Sequence, residues 1–488
     1  QHRLKLLSDC KWGGFMSRES RCLVLFVLVS IFPIFGCGSG NAPTPTPAKD
    51  YQIVVFSDLH FDPFYDQTLF PRLSTSDPTA WEAIFKSSST TAPSSWGADT
   101  NYPLLITALD SIGQNLETSP VILYTGDTIA HNFPKTYFTL CECQDVAGME
   151  AFTDKTFAFV AAEIRSHFGD TPVLFAVGNI DSYIGDGPDS TYLANNAGTF
   201  YTQFLESGVD QTTFMGTFKT GGYYSAAILQ NRVLVIGLNT NPLAVGIPAN
   251  TPPRNNDAAV DTELEWLDTT LAAAQAAGQK VWLLMHIPPG LSTVPTVTTP
   301  SDFGSNGELT EPTMTLLAKY QQEFLGKLAK YPGLITMALG AHTHMDEYRI
   351  LSPSIVLEQM PSITPWLGGN PAFKILTVTN DTFTPTDYRS LNYDLSTLPG
   401  QFNNYYTFST IYALQGPLSS SLLRLYPQIV ANPSTQELYT TFYNSGNDHY
   451  NPVGKANWNP ITPKYWPVFA CSISEMDQTD LTGCVKAY

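Results

Sequence analysis

Short apolar segments that end in polar loops recur through residues 51–390, where they alternate with longer helical patterns. Segments rich in branched and aromatic residues and bounded by turn formers predict β-strands. The predicted strands cover 52–56, 121–124, 173–177, 223–228, 233–238, 281–285, 334–339, 354–358 and 373–378. The predicted helices cover 102–116, 153–167, 262–277 and 313–330. This alternation predicts an α/β domain in which helices cover the sheets.

Beyond about residue 395 the chain changes to Tyr-, Asn- and Ser-rich segments with weak helical periodicity. We therefore predict a main domain over 51–394 and a smaller C-terminal subdomain over 395–488. The composition, 43% hydrophobic and 14% charged, excludes a disordered chain. The net charge of −18 argues against binding to nucleic-acid polymers, because that affinity requires clustered cations.

We predict that residues 1–36 comprise upstream residues over 1–15 and, from Met16, an export signal of the lipoprotein type. Arg18 and Arg21 precede a 13-residue apolar run that is too short to cross a bilayer as a helix. The run ends in Ile-Phe-Gly-Cys, which resembles a bacterial lipoprotein box, so we expect Cys37 to be the lipidated mature N-terminus. An ordinary secretory signal is the alternative. Residues 37–50 form a Pro/Thr-rich tether. Both interpretations predict an exported protein; the first predicts a bacterial cell-envelope protein that meets the membrane only through its lipid.

Four cysteines follow Cys37. In an exported protein an even number of cysteines favours disulfides, and a bond between Cys471 and Cys484 would close a C-terminal loop. The closely spaced Cys141 and Cys143 leave three possibilities open: a bond to each other, metal binding, or reduced thiols.

Five polar motifs place metal-type ligands after predicted strands. They are Asp58-Leu59-His60, Gly126-Asp127 with His131 following, Gly178-Asn179-Ile180-Asp181, His286, and His342-Thr343-His344. Ligand sites of open α/β sheets form beyond the carboxyl ends of strands, so we expect the motifs to share one crevice. Imidazole and carboxylate ligands without a thiolate favour zinc, with iron or manganese as alternatives. Two cations would also need a bridging oxygen ligand such as Asp127.

Each motif taken alone has a simpler explanation. An Asp-x-His pair is common by chance, and His286 could be a hydrogen-bonded core histidine. However, five of the eight histidines of the chain lie in these motifs. Packing histidines would not be expected to follow strand ends so regularly, and the metal-site interpretation is therefore favoured. His167 and His449 lie outside the motifs and are expected to be surface or packing residues.

At these residues the sequence resembles the calcineurin-like metallophosphoesterases, whose signature is D-x-H, G-D, G-N-H-[DE], a later H and G-H-x-H. The resemblance narrows to the acid sphingomyelinase branch through the segments SDLHFDP, GDTIAHN, LNTN, ELEWLDTTLAAA, MHIPPG, GAHTHMDEY and PSITPWLGGNPAFKI and the closing cysteine pair. It covers roughly residues 51–485. In fold, it implies a two-sheet sandwich flanked by helices, with a mainly helical C-terminal subdomain.

The resemblance also implies a site with two divalent metal ions. One ion would be held by Asp58, His60, Asp127 and His344, and the other by Asn179, His286 and His342, with Asp127 bridging both. His131 matches the catalytic histidine of the branch, which contacts the phosphate and protonates the leaving group. Asp181 would orient the site without binding metal.

One position departs from the family pattern. Ile180 stands where the family usually has a histidine that contacts phosphate. An isoleucine can donate neither a proton nor a hydrogen bond, and losing one such donor costs about 10²–10³-fold in rate in other enzymes. The expected consequence is that His131 acts alone, that the substrate has a better leaving group, or that activity is weak.

The resulting functional expectation is an exported, dinuclear-metal-dependent phosphodiesterase that acts on small or nucleotide-like phosphoesters. Hydrolysis of sphingomyelin or another lipid is one alternative. It is less favoured because the resemblance associates it with a separate lipid-presenting domain, and only 13 tether residues follow Cys37. The second alternative, a degenerate surface module that binds a ligand without turnover, is supported by Ile180 alone.

Overall fold

Two mixed sheets of six strands each form the centre of the computed structural model, which describes residues 49–206, 208–246, 257–447 and 461–488. The strands are β1 (Tyr51–Phe56), β2 (Ile122–Tyr124), β3 (Val173–Phe175), β4 (Tyr224–Ile228), β5 (Val233–Gly237), β6 (Lys280–Leu284), β7 (Ile335–Gly340), β8 (Glu347–Ser352), β9 (Ile355–Gln359), β10 (Ala372–Val378), β11 (Pro385–Tyr393) and β12 (Phe402–Thr407). The first sheet has the order β12-β11-β10-β1-β2-β3, and the second has the order β4-β5-β6-β7-β9-β8.

Helices surround both sheets. They are α1 (Phe70–Thr75), α2 (Trp81–Phe85), α3 (Tyr102–Gly113), α4 (Phe133–Cys141), α5 (Val146–Phe168), α6 (Ser190–Phe200), α7 (Gln211–Gly221), α8 (Asp257–Ala276), α9 (Thr293–Thr298), α10 (Ala318–Ala329), α11 (Phe408–Tyr412), α12 (Leu418–Ala431), α13 (Pro433–Tyr443), α14 (Trp466–Ser474) and α15 (Gln478–Ala487). Among the described residues, no helix combines the length and the apolar character that a membrane crossing requires.

The central strands of each sheet run parallel. In the first sheet β1, β2 and β3 are parallel, and in the second β5, β6 and β7 are parallel. Their residues are almost all buried, as expected for strands covered on both faces. Parallel neighbours end at the same edge of a sheet, so the loops that follow these strands gather there.

The side chains of β6 show how the layers are built. Trp282 and Leu284 join the main core, which includes residues of both sheets, whereas Val281 and Leu283 join a second core with α8 and α10. This division follows from the alternation of side chains along a strand. The second sheet therefore packs toward the first sheet on one face and against two helices on the other.

The predicted α/β sandwich with flanking helices and a helical C-terminal region is confirmed. All nine predicted strands are present with small shifts at their ends, while β8, β11 and β12 were not predicted. Helix α5 begins earlier than predicted, at Val146, and α10 begins later, at Ala318. The later start has a clear reason: Met314 and Leu316 form isolated β-bridges with Leu291 and Ala244.

The C-terminal range contributes more than helices. Strand β12 pairs with β11 at the edge of the first sheet, and Arg349 of β8 donates a 2.8 Å hydrogen bond to Ser472 Oγ in α14. The described residues belong to one compact unit, 48–488. The boundary at 394/395 stays a prediction. The export signal, Cys37, most of the tether and His449 lie outside the described residues.

Two disulfides are present among the described residues. Cys471–Cys484 joins α14 to α15, as the resemblance implied. Cys141 is bonded to Cys143 at the end of α4, which decides among the three possibilities for this pair.

Candidate metal centre

The five ligand motifs meet at one end of the two sheets, next to the carboxyl ends of five parallel strands. Asp58 and His60 follow β1, Asp127 follows β2, Asn179 follows β3, His286 follows β6, and His342 and His344 follow β7. All of these residues are buried except His342, which is half-buried. The structure thus brings residues of the five motifs together in one cluster of side chains.

The carboxylate of Asp127 lies between two imidazoles. Its Oδ2 is 3.0 Å from His286 Nε2 and 3.4 Å from His60 Nε2. Its Oδ1 accepts a 2.8 Å hydrogen bond from the backbone N–H of Ile180, so that residue still supports the site through its main chain. A carboxylate placed between two imidazoles fits a ligand that would bridge two cations.

The remaining ligands lie on either side of Asp127. On one side, Asn179 Oδ1 is 2.9 Å from both His286 Nε2 and His342 Nδ1. On the other side, Asp58 Oδ1 is 3.3 Å from His344 Nε2.

Proximity alone also groups the ligands in a second way. Potential ligand atoms of His60, His131 and His344 lie within 4.8 Å of one another, as do those of Asp58, Asp127 and His286. The division of ligands between two ions therefore stays a prediction.

Several buried polar atoms of the cluster have no hydrogen-bond partner. They are both carboxylate oxygens of Asp58, Nε2 of His60 and Nδ1 of His344. A buried polar atom without a partner is costly, and a coordinated cation would satisfy the oxygens and Nε2. The donor set, oxygen and imidazole nitrogen without thiolate, fits zinc, iron or manganese.

The electrostatics of the cluster also favour positive charge. Burial lowers the pKa of His60, but the carboxylates of Asp127 and Asp58 outweigh it and raise the pKa to about 9. Burial likewise lowers the pKa of His286, and Asp127 raises it to about 9. Burial raises the pKa of Asp127 itself, but the charges of His286 and His60 hold it well below its usual range. These residues therefore fit a cation site.

Two ligand imidazoles are oriented by backbone carbonyls. His60 Nδ1 lies 2.9 Å from Ile129 O, and His286 Nδ1 lies 2.7 Å from Thr125 O. When Nδ1–H donates to a carbonyl, the imidazole presents an unprotonated Nε2 to a metal. Both histidines thus have the orienting partner that metal ligands usually possess.

The ligand loops have unusual backbone conformations. Five proposed ligands have φ between 42° and 72°, in the left-handed region: Asp58, His60, Asp127, His342 and His344. Residues in this region cluster at functional sites because the surrounding structure must hold them there. A Cβ atom at Gly178 would overlap the carboxylate of Asp127, which explains the glycine of the third motif.

Asp181 connects two of the ligand loops. Its Oδ1 accepts a 2.8 Å hydrogen bond from the Thr128 N–H and its Oδ2 accepts a 3.1 Å bond from the Gly178 N–H. Burial and the nearby Asp127 raise the pKa of Asp181 to about 6. The side chain braces backbone next to Asp127 and Asn179, and its predicted orienting role stays a proposal.

His131 lies at the edge of the cluster, between β2 and α4, and is held by Asp99. Asp99 Oδ1 is 2.9 Å from His131 Nδ1, and Asp99 Oδ2 accepts a 2.8 Å hydrogen bond from the His131 N–H. The imidazole is stacked between the rings of His60 and Trp366, with centroid distances of 4.0 and 4.7 Å. With Nδ1 engaged, Nε2 is the nitrogen available to a substrate.

Sequence reasoning missed three residues of this arrangement. Asp99 carried no motif, and its role depends on contacts across the fold that local sequence cannot show. The hydroxyl of Thr364 donates a 3.1 Å hydrogen bond to Asp99 Oδ1. Both Thr364 and Trp366 lie in the segment PSITPWLGG. That segment had already been noticed for its resemblance, and it could have led to both residues.

Comparisons with known proteins extend these observations. The chain is 26% identical over 485 residues to the cyclic GMP-AMP phosphodiesterase SMPDL3A of Bos taurus, covering 93% of this chain and 94% of the relative. It is 23% identical over 375 residues to the sphingomyelinase phosphodiesterase C of Dictyostelium discoideum, covering 70% of this chain and 73% of the relative. The chain is a homologue of the acid sphingomyelinase-like phosphodiesterases. The predicted resemblance is confirmed.

Among solved structures, the chain matches a dimetal phosphatase from Danio rerio. The TM-score is 0.41 at 10% identity, and the match covers 73% of this chain and 97% of that chain. No family model matches the chain.

Proposed function

We propose that the chain is an exported, dinuclear-metal-dependent phosphoester hydrolase that acts on small or nucleotide-like phosphoesters. The observation that carries this proposal is the position of Asp127 between His60 and His286 in a cluster built from five loops. The homology of the chain to phosphodiesterases supports the same reaction class.

The proposed metal ligands are those of the cluster. Asp58, His60, Asp127 and His344 would hold one ion, and Asn179, His286, His342 and Asp127 the other. Zinc is the favoured metal, with iron or manganese as alternatives. When bound, such a pair supplies an activated water near neutral pH and neutralises charge on the phosphate. The chain's own contribution is the fixed, buried ligand set.

His131 is the proposed acid that protonates the leaving oxygen. Asp99 accepts its Nδ1–H and thereby directs Nε2 toward the substrate, and the rings of His60 and Trp366 fix the plane of the imidazole. Ile180 can donate neither a proton nor a side-chain hydrogen bond. The proton transfer is therefore assigned to His131 alone.

The substrate class is proposed from two relatives. The bovine relative, which is aligned over 94% of its length, is named for a cyclic dinucleotide, and the Dictyostelium relative is named for sphingomyelin. The more complete alignment favours a nucleotide-like phosphodiester. Sphingomyelin or another lipid is the second candidate.

Export is part of the proposal. The two disulfides, Cys141–Cys143 and Cys471–Cys484, are typical of proteins that fold in an oxidising compartment. Lipidation of Cys37 would make that lipid the link to the membrane.

The test uses the full chain loaded with Zn²⁺. We expect hydrolysis of bis-p-nitrophenyl phosphate that disappears after removal of zinc with a chelator and returns when zinc is added back. A panel of cyclic dinucleotides, nucleotides, glycerophosphodiesters and sphingomyelin in detergent micelles then identifies the substrate class. A protein that binds zinc but hydrolyses none of these compounds would instead be a non-catalytic binding module.

A further inference from the structure

The loop of His342 and His344 is held differently from the other ligand loops. His60 and His286 each have a backbone carbonyl at Nδ1, whereas Nδ1 of His344 is buried without a partner. A metal-binding histidine is usually oriented by a group on its second nitrogen. The orientation of His344 must therefore come from its backbone and its packing.

That backbone needs an anchor. His342 and His344 have φ values of 72° and 62°, in the left-handed region. Such conformations persist only where the surrounding structure enforces them. The loop itself supplies one turn, a 2.8 Å hydrogen bond from the Thr343 N–H to Ala341 O. Any further restraint must come from outside the loop.

Asp346, two residues beyond His344, supplies one such restraint, in addition to the Ala341 N–H bond to His286 O and the contact of His342 Nδ1 with Asn179 Oδ1. Asp346 Oδ1 lies 2.7 Å from Lys374 Nζ, and its Oδ2 accepts a 2.7 Å hydrogen bond from Tyr406 OH. Its backbone N–H donates a 2.8 Å bond to Tyr443 O at the end of α13. Lys374 lies on β10 and Tyr406 on β12, both in the first sheet, whereas His344 follows β7 of the second. Asp346 thus connects the loop of His342 and His344 to the first sheet.

Lys374 is the centre of this contact. The residue is 1% exposed, and its Nζ is also 3.4 Å from Glu358 Oε2 and 4.1 Å from the ring centroid of Tyr388. A buried ammonium between two carboxylates is a contact partner of both, and removing it would leave both buried carboxyl groups without their cation. Neither the proposed ligand set nor the proposed proton transfer uses this lysine.

We propose that Lys374 is a positioning residue of the metal centre. By fixing Asp346 it holds the left-handed backbone of His342 and His344, and so keeps the His344 imidazole beside Asp58. The role rests on the proposed dinuclear site. It concerns metal retention and not the chemical step, so it is measured by binding.

The experiment compares zinc binding by the wild-type chain and the Lys374→Met variant, using competition with a chromophoric chelator and elemental analysis. The wild type should bind two equivalents of zinc. The variant should lose one equivalent or bind it about 10–100-fold more weakly. Lys374→Arg keeps the positive charge beside Asp346 and should retain both zinc equivalents.

A matched control separates this effect from general destabilisation. Leu271→Ala opens a cavity between α8 and the second sheet, where Leu271 is fully buried and belongs to the second core. It should lower the Tm but keep both zinc equivalents. If Lys374→Met does not fold, Asp346→Asn takes its place, because it removes the carboxylate that Lys374 contacts and keeps an oxygen that can accept the Tyr406 hydroxyl.

The outcomes distinguish the two proposals. A wild-type chain that binds no zinc contradicts the proposed function itself. A wild-type chain with two equivalents and a Lys374→Met variant with unchanged zinc affinity overturns only the role of Lys374. The same conclusion follows from unchanged zinc affinity in Asp346→Asn when that variant is the one tested.

Discussion

The carboxylate of Asp99 holds both the ring and the backbone of His131, at 2.9 Å from Nδ1 and 2.8 Å from the backbone nitrogen. Burial raises the pKa of Asp99, but His131 and their shared hydrogen bonds outweigh it and lower the pKa overall. An ionised carboxylate at this position keeps the proton on Nδ1. The imidazole is thereby set in one orientation, with its ring stacked against that of His60.

Asp99→Ala should therefore affect leaving groups unequally. Esters with poor leaving groups need the acid and should lose about 10²-fold in kcat, whereas p-nitrophenyl esters should lose much less. Steady-state kinetics with a series of phenyl leaving groups measures this dependence. Asp99→Asn keeps an oxygen acceptor for Nδ1–H and should lose less. A uniform loss across the series would assign Asp99 a purely structural role.

His131→Gln tests whether this residue is an acid or a ligand. As an acid it should leave both zinc equivalents in place and produce the same dependence on the leaving group as Asp99→Ala, with a loss of about 10²–10⁴-fold on poor leaving groups. Elemental analysis of the zinc content, together with the kinetics, distinguishes an acid from a metal ligand. Loss of one equivalent would make His131 a metal ligand, as its proximity to His60 and His344 also permits.

Asp127→Ala should remove metal as well as activity. The residue contacts imidazoles on both sides, so its loss opens both proposed ion sites. We expect fewer than two zinc equivalents by elemental analysis. His167→Ala is the matched control, because His167 lies at the end of α5 beside Glu163 and outside the cluster. Two equivalents retained in Asp127→Ala would count against the bridge.

Glu263 gives the folded chain a predicted dependence of stability on pH. It lies in α8 and is 3% exposed. Burial raises its pKa well above the usual value, and a hydrogen bond from the Asn239 N–H lowers it by a smaller amount. The folded chain thus keeps a proton that the unfolded chain loses above about pH 4. This contribution to stability is complete below that pH and declines as pH rises toward the raised pKa, by up to about 1.4 kcal/mol per pH unit.

Glu263→Gln should remove that decline, because the amide oxygen can still accept the Asn239 N–H and carries no proton to lose. The variant should have a stability close to that of the wild type near pH 4 and exceed it by at least about 1 kcal/mol at pH 8. Urea unfolding of both proteins across this range measures the difference. A difference that does not change with pH would show that Glu263 is ionised in the folded chain.

The proposed ligand residues could be predicted because each belongs to a short motif that is visible in the local sequence. An apolar strand followed by Asp, Asn or His is visible in a few residues of sequence, and the topology of parallel strands then brings the ends together. Strands β11 and β12 could not be predicted in this way. Segments such as Thr386–Arg389 and Asn403–Tyr406 are polar and aromatic, and they become strands only through pairing with β10 and with each other.

The residues that hold the cluster in place could not be predicted either, because their role depends on contacts across the fold. Asp99 and Lys374 act through side chains that are distant in sequence, and a single charged residue in a loop or a strand has no periodicity to mark its partner. Their importance comes from burial, which makes an unpaired charge costly. That burial is a property of the assembled sheets and not of any segment.

The left-handed backbone at the five proposed ligands lowers the stability of the folded chain in exchange for placing those side chains. Asp and His tolerate this region better than most residues but less well than glycine, and each such position holds back folding free energy of the order of 1 kcal/mol. A chain optimised for thermal resistance alone would drift toward glycine or asparagine at positions such as His342 and His344. Engineering that ranks variants only by melting temperature would therefore tend to remove the proposed metal ligands.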